Sequence, residues 1–534
     1  MRGITLLLIL IFAEFNAFTQ STSFDIQLIP MNVPNLGGVQ AFAYGQHNNK
    51  WLIIGGRLDG LHRRQPWASF DVAGNNNQLI VVDPIAQQVY YASIGALPIS
   101  IQEQLSATNI QSHQLGNYLY LIGGYGYHAS SGSRMTFPYL TAVDVPAVIN
   151  AVINGQPFVN YFRQITDAQF AVTGGHLKMI NDTWYLLCGN KFDGNYNPMG
   201  NPTYTQVYTN AVRRFTLTDN GTTININHLP ALTDTAQLHR RDYNAVPQIL
   251  PDGAQGITIF SGVFQPVIDL PYLNSVTVDS IGYSVNNSFQ QYYNHYHCAV
   301  MPLFDSIANE MHNVFFGGIV QYYDSAGVLV QDNNVPFVNT IARVTRNAAG
   351  VMSEYKLPQT MPALLGAGSE FILANGVSTY PNGVIKLNDF TADTTLAGYI
   401  YGGISSTMPN IFWINDGTQS STSNSIFKVY VIKNNPSSVH QLNQQSVSRL
   451  NLQILPNPNE GIFIVNFNLI HSSDVTIVLS DANGKILEEK QLKGLPEGNN
   501  IWQKKLRNLS KGGVYVLTLS TNYETATQKI IVDP

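Results

Sequence analysis

Two identical tetrapeptides, Leu61-His62-Arg63-Arg64 and Leu238-His239-Arg240-Arg241, stand out in a chain of 534 residues of which only 11% are charged. Guanidinium groups present rigid forks of N–H donors that grip a carboxylate or sulfate bidentately, and the same forks also tie long loops to backbone carbonyls. Asp242 follows the second tetrapeptide directly, and Glu370 is the other carboxylate that pairs with it as a candidate for chemistry at a glycosidic bond, which uses two carboxyl groups flanking the scissile link. His295 and His297 alternate onto one face of an extended segment, a spacing open to a metal ion, although a lone His pair is more often hydrogen-bonded structure. No Gly-x-Ser-x-Gly, phosphate-binding loop or His-Glu-x-x-His motif occurs. The candidate ligand contacts are therefore Arg63, Arg64, Arg240, Arg241, Asp242, His297 and Glu370. No catalytic residue is assigned, and no cofactor or metal is expected.

These side chains need a frame, and an internal repeat supplies it. Six apolar runs end in glycine: WLIIGGR, YLYLIGGY, WYLLCGN, ITIFSGV, NVFFGGI and YIYGGI, closing on Gly56, Gly124, Gly189, Gly262, Gly318 and Gly403. Cys188 and Ser261 replace the first glycine of the pair in two of them. Small residues at a strand end let the backbone turn through positive φ and approach its neighbours closely. Each run is followed, after a variable loop, by a second extended element, in most repeats a hairpin, such as NQLIVVDPIAQQVYYASI from residue 77. With an inner strand before each run, every repeat forms a four-stranded sheet, and six such sheets form a β-propeller. The pattern resembles kelch repeats, with Asp83, Asp144 and Asp279 on the strand after the glycine pair; it lacks the Trp usual on the last strand. Residues 23–29 (SFDIQLI) are expected to complete the sixth blade, whose own outer strand is missing, and so to close the ring.

In such a meander the loop after the second strand and the link between blades emerge on one face. That face carries the long insertions Arg57–Asn76, Tyr125–Pro138, Asn190–Thr209, Val263–Leu273, Ile319–Val338 and Ile404–Ser423, together with Trp67, Tyr125, Tyr127, Tyr196 and Tyr204. Both tetrapeptides fall there. Length invested on one face of a rigid ring is where binding loops are expected, and aromatic rings stack on sugars as readily as they pack loops. One long turn, Asn375–Ala397, departs from the pattern by lying on the opposite face.

Residues 1–19 place Arg2 before an apolar run and end in small residues, the make-up of a cleaved signal peptide. No later apolar stretch is long enough to serve as a transmembrane anchor. The net charge of −5 supplies no basic field for phosphates, so nucleic acid is not an expected partner. Two cysteines, Cys188 and Cys298, are too few for a disulfide framework.

Composition changes near the end: seven of fourteen lysines lie beyond Ser448, after a polar tether at 435–448. The segment 449–534 reads as short strands separated by Gly, Pro and the hairpin signal Asn483-Gly484. The ordered motifs PNPNEGIFIVNF, LSDANGKIL, KGGVYVLTLST and QKIIV are similar to the type A C-terminal sorting domain of type IX secretion cargo in Bacteroidota. That resemblance implies recognition by the outer-membrane translocon after Sec-type export to the periplasm, then release or display at the cell surface.

The expected protein is all-β: a signal peptide (1–19), a six-bladed kelch-like β-propeller (23–434), a linker (435–448) and a small antiparallel β-sandwich (449–534). The expected activity is binding of a glycan or another surface ligand by the propeller, with a carbohydrate-active enzyme working at the channel mouth as the competing reading.

Overall fold

The computed structural model of the chain describes residues 24–65, 67–197, 203–325, 327–434, 450–481, 485–505, 513–521 and 525–532. The expected leader, the tether at 435–448 and the Asn483-Gly484 turn lie outside the described residues. The chain forms two compact units, Met1–Asn434 and Asn435–Pro534.

In the first unit six sheets follow one another, each built on four antiparallel strands in meander order, and the fifth sheet gains a fifth strand, Ile385–Lys386, in parallel. Their first strands are Ala43–His47, Gln111–Leu115, His176–Ile180, Asn244–Ile249, Ala299–Asp305 and Ser369–Leu373. The glycine-ended runs are the second strands; Tyr118–Ile122 and Thr183–Leu187 are buried at every position but the first. Such unbroken apolar runs arise because each blade is covered on both faces by its neighbours. The core is accordingly a series of wedges between blades. Leu52, Ile54, Leu79 and Val81 of blade one meet Leu119 and Leu121 of blade two, while Leu187 and Tyr185 of blade three meet Ile257 and Ile259 of blade four. Each fully buried aliphatic side chain contributes on the order of 1.5–3 kcal/mol.

The glycine pairs occur where adjacent blades touch through their backbones. Gly56 N–H donates to Ala107 O (2.8 Å), Gly124 to Val172 O (2.9 Å), Gly189 to Arg240 O (2.8 Å), Gly262 to His295 O (3.2 Å) and Gly403 to Val39 O (2.9 Å). In every case the acceptor belongs to the segment entering the next blade. A Cβ on Gly123 would stand 2.0 Å from Val172 O, and one on Gly317 1.9 Å from Leu365 O, with both residues at positive φ. Only a residue without a side chain fits there. The recurring aspartates have a local role: Asp83 Oδ1 accepts from Ile85 N and Ala86 N, and Asp279 Oδ1 from Ile281 N and Gly282 N, each capping the turn to the fourth strand.

Blade two departs from the expected hairpin. After Tyr139–Asp144 the chain turns into a helix, Val145–Asn154, before the outer strand Phe162–Thr166. Asp144 caps it by accepting from Ala147 N (3.1 Å), Pro146 sits in its first turn and Gly155 ends it at φ 62°. Val145, Val148, Ile149 and Val152 form its buried stripe. Apolar β-branched residues masked this helix in the sequence, although the Asp-x-Pro start was visible.

Phe24–Met31 pairs antiparallel with Ile426–Lys433, Phe24 opposite Lys433 and Met31 opposite Ile426, as the outer strand of blade six. The ring is thus closed by strands from both ends of the unit.

The second unit holds two antiparallel sheets. One orders Gln453–Leu455, Ile462–Leu469 and Gly498–Lys505; the other orders Ile486–Leu495, Ser473–Asp481, Gly513–Ser520 and Thr525–Val532. Phe463, Val465 and Phe467 alternate inward with Ile477, Leu479, Leu517 and Leu519 to make its core. The PNPNEG segment is sewn onto the last strand. Asn457 Nδ2 donates to Lys529 O (2.7 Å), Ile531 N donates to Asn457 Oδ1 (2.8 Å), and Asn459 N donates to Ile531 O (2.9 Å). Asparagine side chains thus stand in for a neighbouring strand along an otherwise open edge.

Candidate functional site: the axial cavity

A ring of hydrogen bonds surrounds the axis where the inner strands begin. Ala41 N donates to Gly368 O (2.9 Å), Gly368 N to His297 O (2.9 Å), His297 N to Asp242 O (2.9 Å), Asp242 N to Gly174 O (2.8 Å), and Asn109 N to Ala41 O (3.2 Å). Thr173 Oγ1 completes the circuit to Asn109 O (3.3 Å). Five of the six positions, Ala41, Asn109, Gly174, Asp242 and Gly368, lie at positive φ, which turns each entering segment inward toward its neighbour. This backbone iris narrows the axis at the face that carries the long loops.

Below the iris lies a cavity of about 340 Å³, walled by the inner strands of all six blades and by Asn382 and Gly383. No described residue of the six long insertions lines it. Its lining runs from the iris residues Asp242 and Gly174 to Gln46, Gln114, Lys178, Pro302 and Leu373, so it extends toward the short-turn face. The unusual turn after Leu373 reaches across its rim: Asn382 Nδ2 donates to Gln248 O of blade four (2.9 Å), and Ile385–Lys386 pairs in parallel with Leu303–Phe304 of blade five.

Polar groups converge in this cavity. His297 Nε2 lies 3.1 Å from Glu370 Oε1, and the His176 ring stands edge-on to His297 at 5.1 Å between centroids. His176 Nε2 donates to Tyr243 O (2.7 Å), which leaves Nδ1 as an acceptor. Burial, His297 and Lys178 hold His176 well below the usual histidine range, and burial with Lys178 pulls His113 down to about 3. Both imidazoles are therefore neutral at pH 7. Tyr44 donates to Phe371 O (2.8 Å), and burial together with Glu370 raises its phenol. Lys178 is lowered by burial, with Glu370 acting in the opposite sense. The arrangement offers uncharged donors and acceptors, one ammonium and the carboxylates of Glu370 and Asp242, a set suited to a small polyhydroxylated molecule.

The structure brings together Asp242, His297 and Glu370 from the candidate set, all in the cavity wall. Arg241 adjoins it: Nη1 bonds Asp242 Oδ2 (2.8 Å), Nε bonds Tyr208 Oη (3.1 Å), and the guanidinium covers the Phe264 ring at 4.9 Å. Arg240 is 0% exposed; it donates to Gln237 O, Ser261 O, Asn274 O and Asn274 Oδ1 and stacks on Tyr272 at 3.9 Å. Arg63 and Arg64 are exposed, the latter bonding Trp413 O (2.8 Å). The two tetrapeptides are not equivalent: one follows a second strand, the other precedes an inner strand. His295 is fully buried, with Nε2 on Gln291 O and Nδ1 accepting from Gln321 N, both 2.8 Å. It faces no ligand position beside His297.

On the loop face the aromatic residues pack among themselves. His62 meets Tyr196 (4.8 Å) and Phe70 (5.5 Å), Tyr204 stacks on Phe192 (4.6 Å), and Tyr125 donates to Gly194 O (2.6 Å). Trp67 is the exception at 85% exposed, joined by Trp413 at 60%. Tyr44, His113, His176 and Lys178 were missed by sequence reasoning; their signal is polar or titratable side chains recurring within otherwise apolar inner strands. Both cysteines are free and buried, their thiols pushed up to about 12 by burial.

Residues 453–533 match the family model for a secretion system C-terminal sorting domain. No curated protein matches the chain. Solved structures similar to it include that of YjhT, at 11% identity and TM-score 0.39 over 76% of this chain and 99% of that one. An exo-1,5-alpha-L-arabinanase from a bovine ruminal metagenomic library matches at 9% identity and TM-score 0.25, over 60% of this chain and 92% of that one. A glycoside hydrolase family 43 arabinoxylan arabinofuranohydrolase from Bacillus subtilis, in complex with cellotetraose, matches at 9% and 0.26, over 94% and 98%. The C-terminal unit is a secretion sorting domain, and the chain that bears it is marked for export.

Proposed function

We propose that this is a type IX secretion cargo of the kelch-like propeller kind, carried to the cell surface or the medium by its C-terminal domain, and that its axial cavity binds a small carbohydrate. The observation that carries the reading is the convergence of His297, Glu370, His176 and Tyr44 in one concave, hydrogen-bonding space below the iris. The neutral imidazoles of His113 and His176 and the lining amides match sugar hydroxyls. The loop face, with Arg63, Arg64 and the exposed Trp67 and Trp413, is proposed as an outer contact surface for the polymer or cell wall from which that sugar projects. The reading is tested by glycan-array and calorimetric binding with the full chain: binding abolished in Glu370→Gln with His297→Ala supports it, and binding unaffected by both rejects it.

A second reading is favoured by the His297–Glu370 contact itself. A carboxylate on an imidazole is an acid–base pair, and Asp242 supplies a second carboxylate in the same cavity. Turnover on a polysaccharide or monosaccharide panel, lost in Glu370→Gln, distinguishes an enzyme from a binding protein.

A further inference from the structure

The half-buried side chain of Lys178 makes no hydrogen bond and no ion pair among the described residues, although it lines the axial cavity. The two carboxylates of the same wall have other direct partners: Glu370 lies 3.1 Å from His297 Nε2, and Asp242 Oδ2 accepts from Arg241 at 2.8 Å. An ammonium held away from bulk water without a direct counter-charge is costly, and a folded chain keeps one where something else supplies the charge. The wall therefore holds a cation without a direct partner among the described residues.

We infer that the ligand of this cavity is a sugar acid, its carboxylate seated on Lys178. Lysine is a point charge with three rotatable donors, suited to a carboxylate approaching from one side. Gln46, Gln114 and Asn244 add amide groups to the same lining, which suits a hydroxylated acid rather than an aliphatic one. A neutral sugar of the same shape leaves the ammonium unpaired. Burial lowers the Lys178 pKa, with Glu370 only partly opposing it, and a bound carboxylate restores the charged form.

The inference rests on the axial-cavity reading above, and matched probes separate the two. The full chain is titrated calorimetrically with D-glucuronate against D-glucose and D-galacturonate against D-galactose, pairs that differ only in the oxidation state of one carbon. The expected result is that one acid binds about tenfold or more tighter than its neutral partner, the scale of a charge-assisted bond. Lys178→Met brings the pair to parity while Lys178→Arg retains the preference, with thermal melting confirming that both variants fold. Equal affinity for acid and neutral sugar in the native protein, or a preference that survives Lys178→Met, overturns the sugar-acid inference and leaves the carbohydrate reading standing. If none of the four probes binds, both fall.

Discussion

His297 reaches Glu370 across the boundary between blades five and six, Nε2 to Oε1 at 3.1 Å, each side chain about one-fifth exposed to the cavity. The pair is held by the iris, since His297 N–H donates to Asp242 O and His297 O accepts from Gly368 N. Blades four, five and six therefore fix one imidazole among them, and the chemistry of the cavity depends on the ring being whole.

Glu370→Gln keeps shape but removes the charge facing the imidazole. A hydrogen bond to a charged partner contributes about 1.5–3 kcal/mol at most, less here because water reaches both groups. The expected outcome is a severalfold to tenfold loss of ligand affinity, or a larger loss of turnover if the cavity is catalytic, with little change in melting temperature.

Asp242 holds φ at 51° within the iris. Asp242→Gly relieves that conformation but loses the bond to Arg241 Nη1, and it is expected to cost less than Asp242→Val, which loses the same bond and puts a β-branched residue in the left-handed region at about 1–2 kcal/mol or more. Urea unfolding of the two variants checks the ordering.

The arginines of the second tetrapeptide and the first respond differently. Arg240→Ala strands the carbonyls of Gln237, Ser261 and Asn274 in a buried site and is expected to destabilise the propeller by about 3 kcal/mol or more. Arg63→Ala, on an exposed loop, is expected to stay within about 0.5 kcal/mol. Chemical denaturation separates them.

Glu354 accepts from Tyr292 N (2.6 Å) and Tyr293 N (3.2 Å), yet burial outweighs both donors and pushes its carboxyl up to about 8. A folded-state value above the unfolded one, roughly 4.3, means that the group contributes stability below the unfolded pKa and loses it as pH rises through the folded one. The propeller is expected to lose stability between about pH 4.5 and 8 on this account, and Glu354→Gln to flatten that part of the profile in thermal melts.

Asn457→Ala removes both side-chain bonds to the final strand at Lys529 and Ile531. Loss of the sorting unit's edge cover is expected to lower the secreted fraction while the propeller folds normally, as read by fractionation of cells and medium.

The frame was far more legible than the site. The glycine-ended runs announced six blades because close backbone approach, as at Gly123 and Gly317, tolerates almost nothing else, and PNPNEG announced the sorting unit because Asn457 and Asn459 must bond a strand edge. The helix Val145–Asn154 was hidden by residues equally at home in a strand. The cavity was hidden for a different reason. Loop length pointed to one face, but the iris that separates those loops from the cavity is made of backbone N–H and C=O groups, which every residue carries and no sequence advertises. Tyr44, His113, His176 and Lys178 become neighbours only when three blades have been set around an axis.

Phe24 faces Lys433 in the strand pair that shuts the ring. A chain delivered from its N-terminus onward therefore presents, until that last partner arrives, an incomplete fan with one bare-edged sheet, and the iris cannot be sealed. The loop-closure penalty of so wide a join grows only logarithmically with its length, but the search for it is long. Ligand affinity should consequently appear all at once, late in biogenesis, and a nick anywhere between blades should abolish it without unfolding the blades themselves.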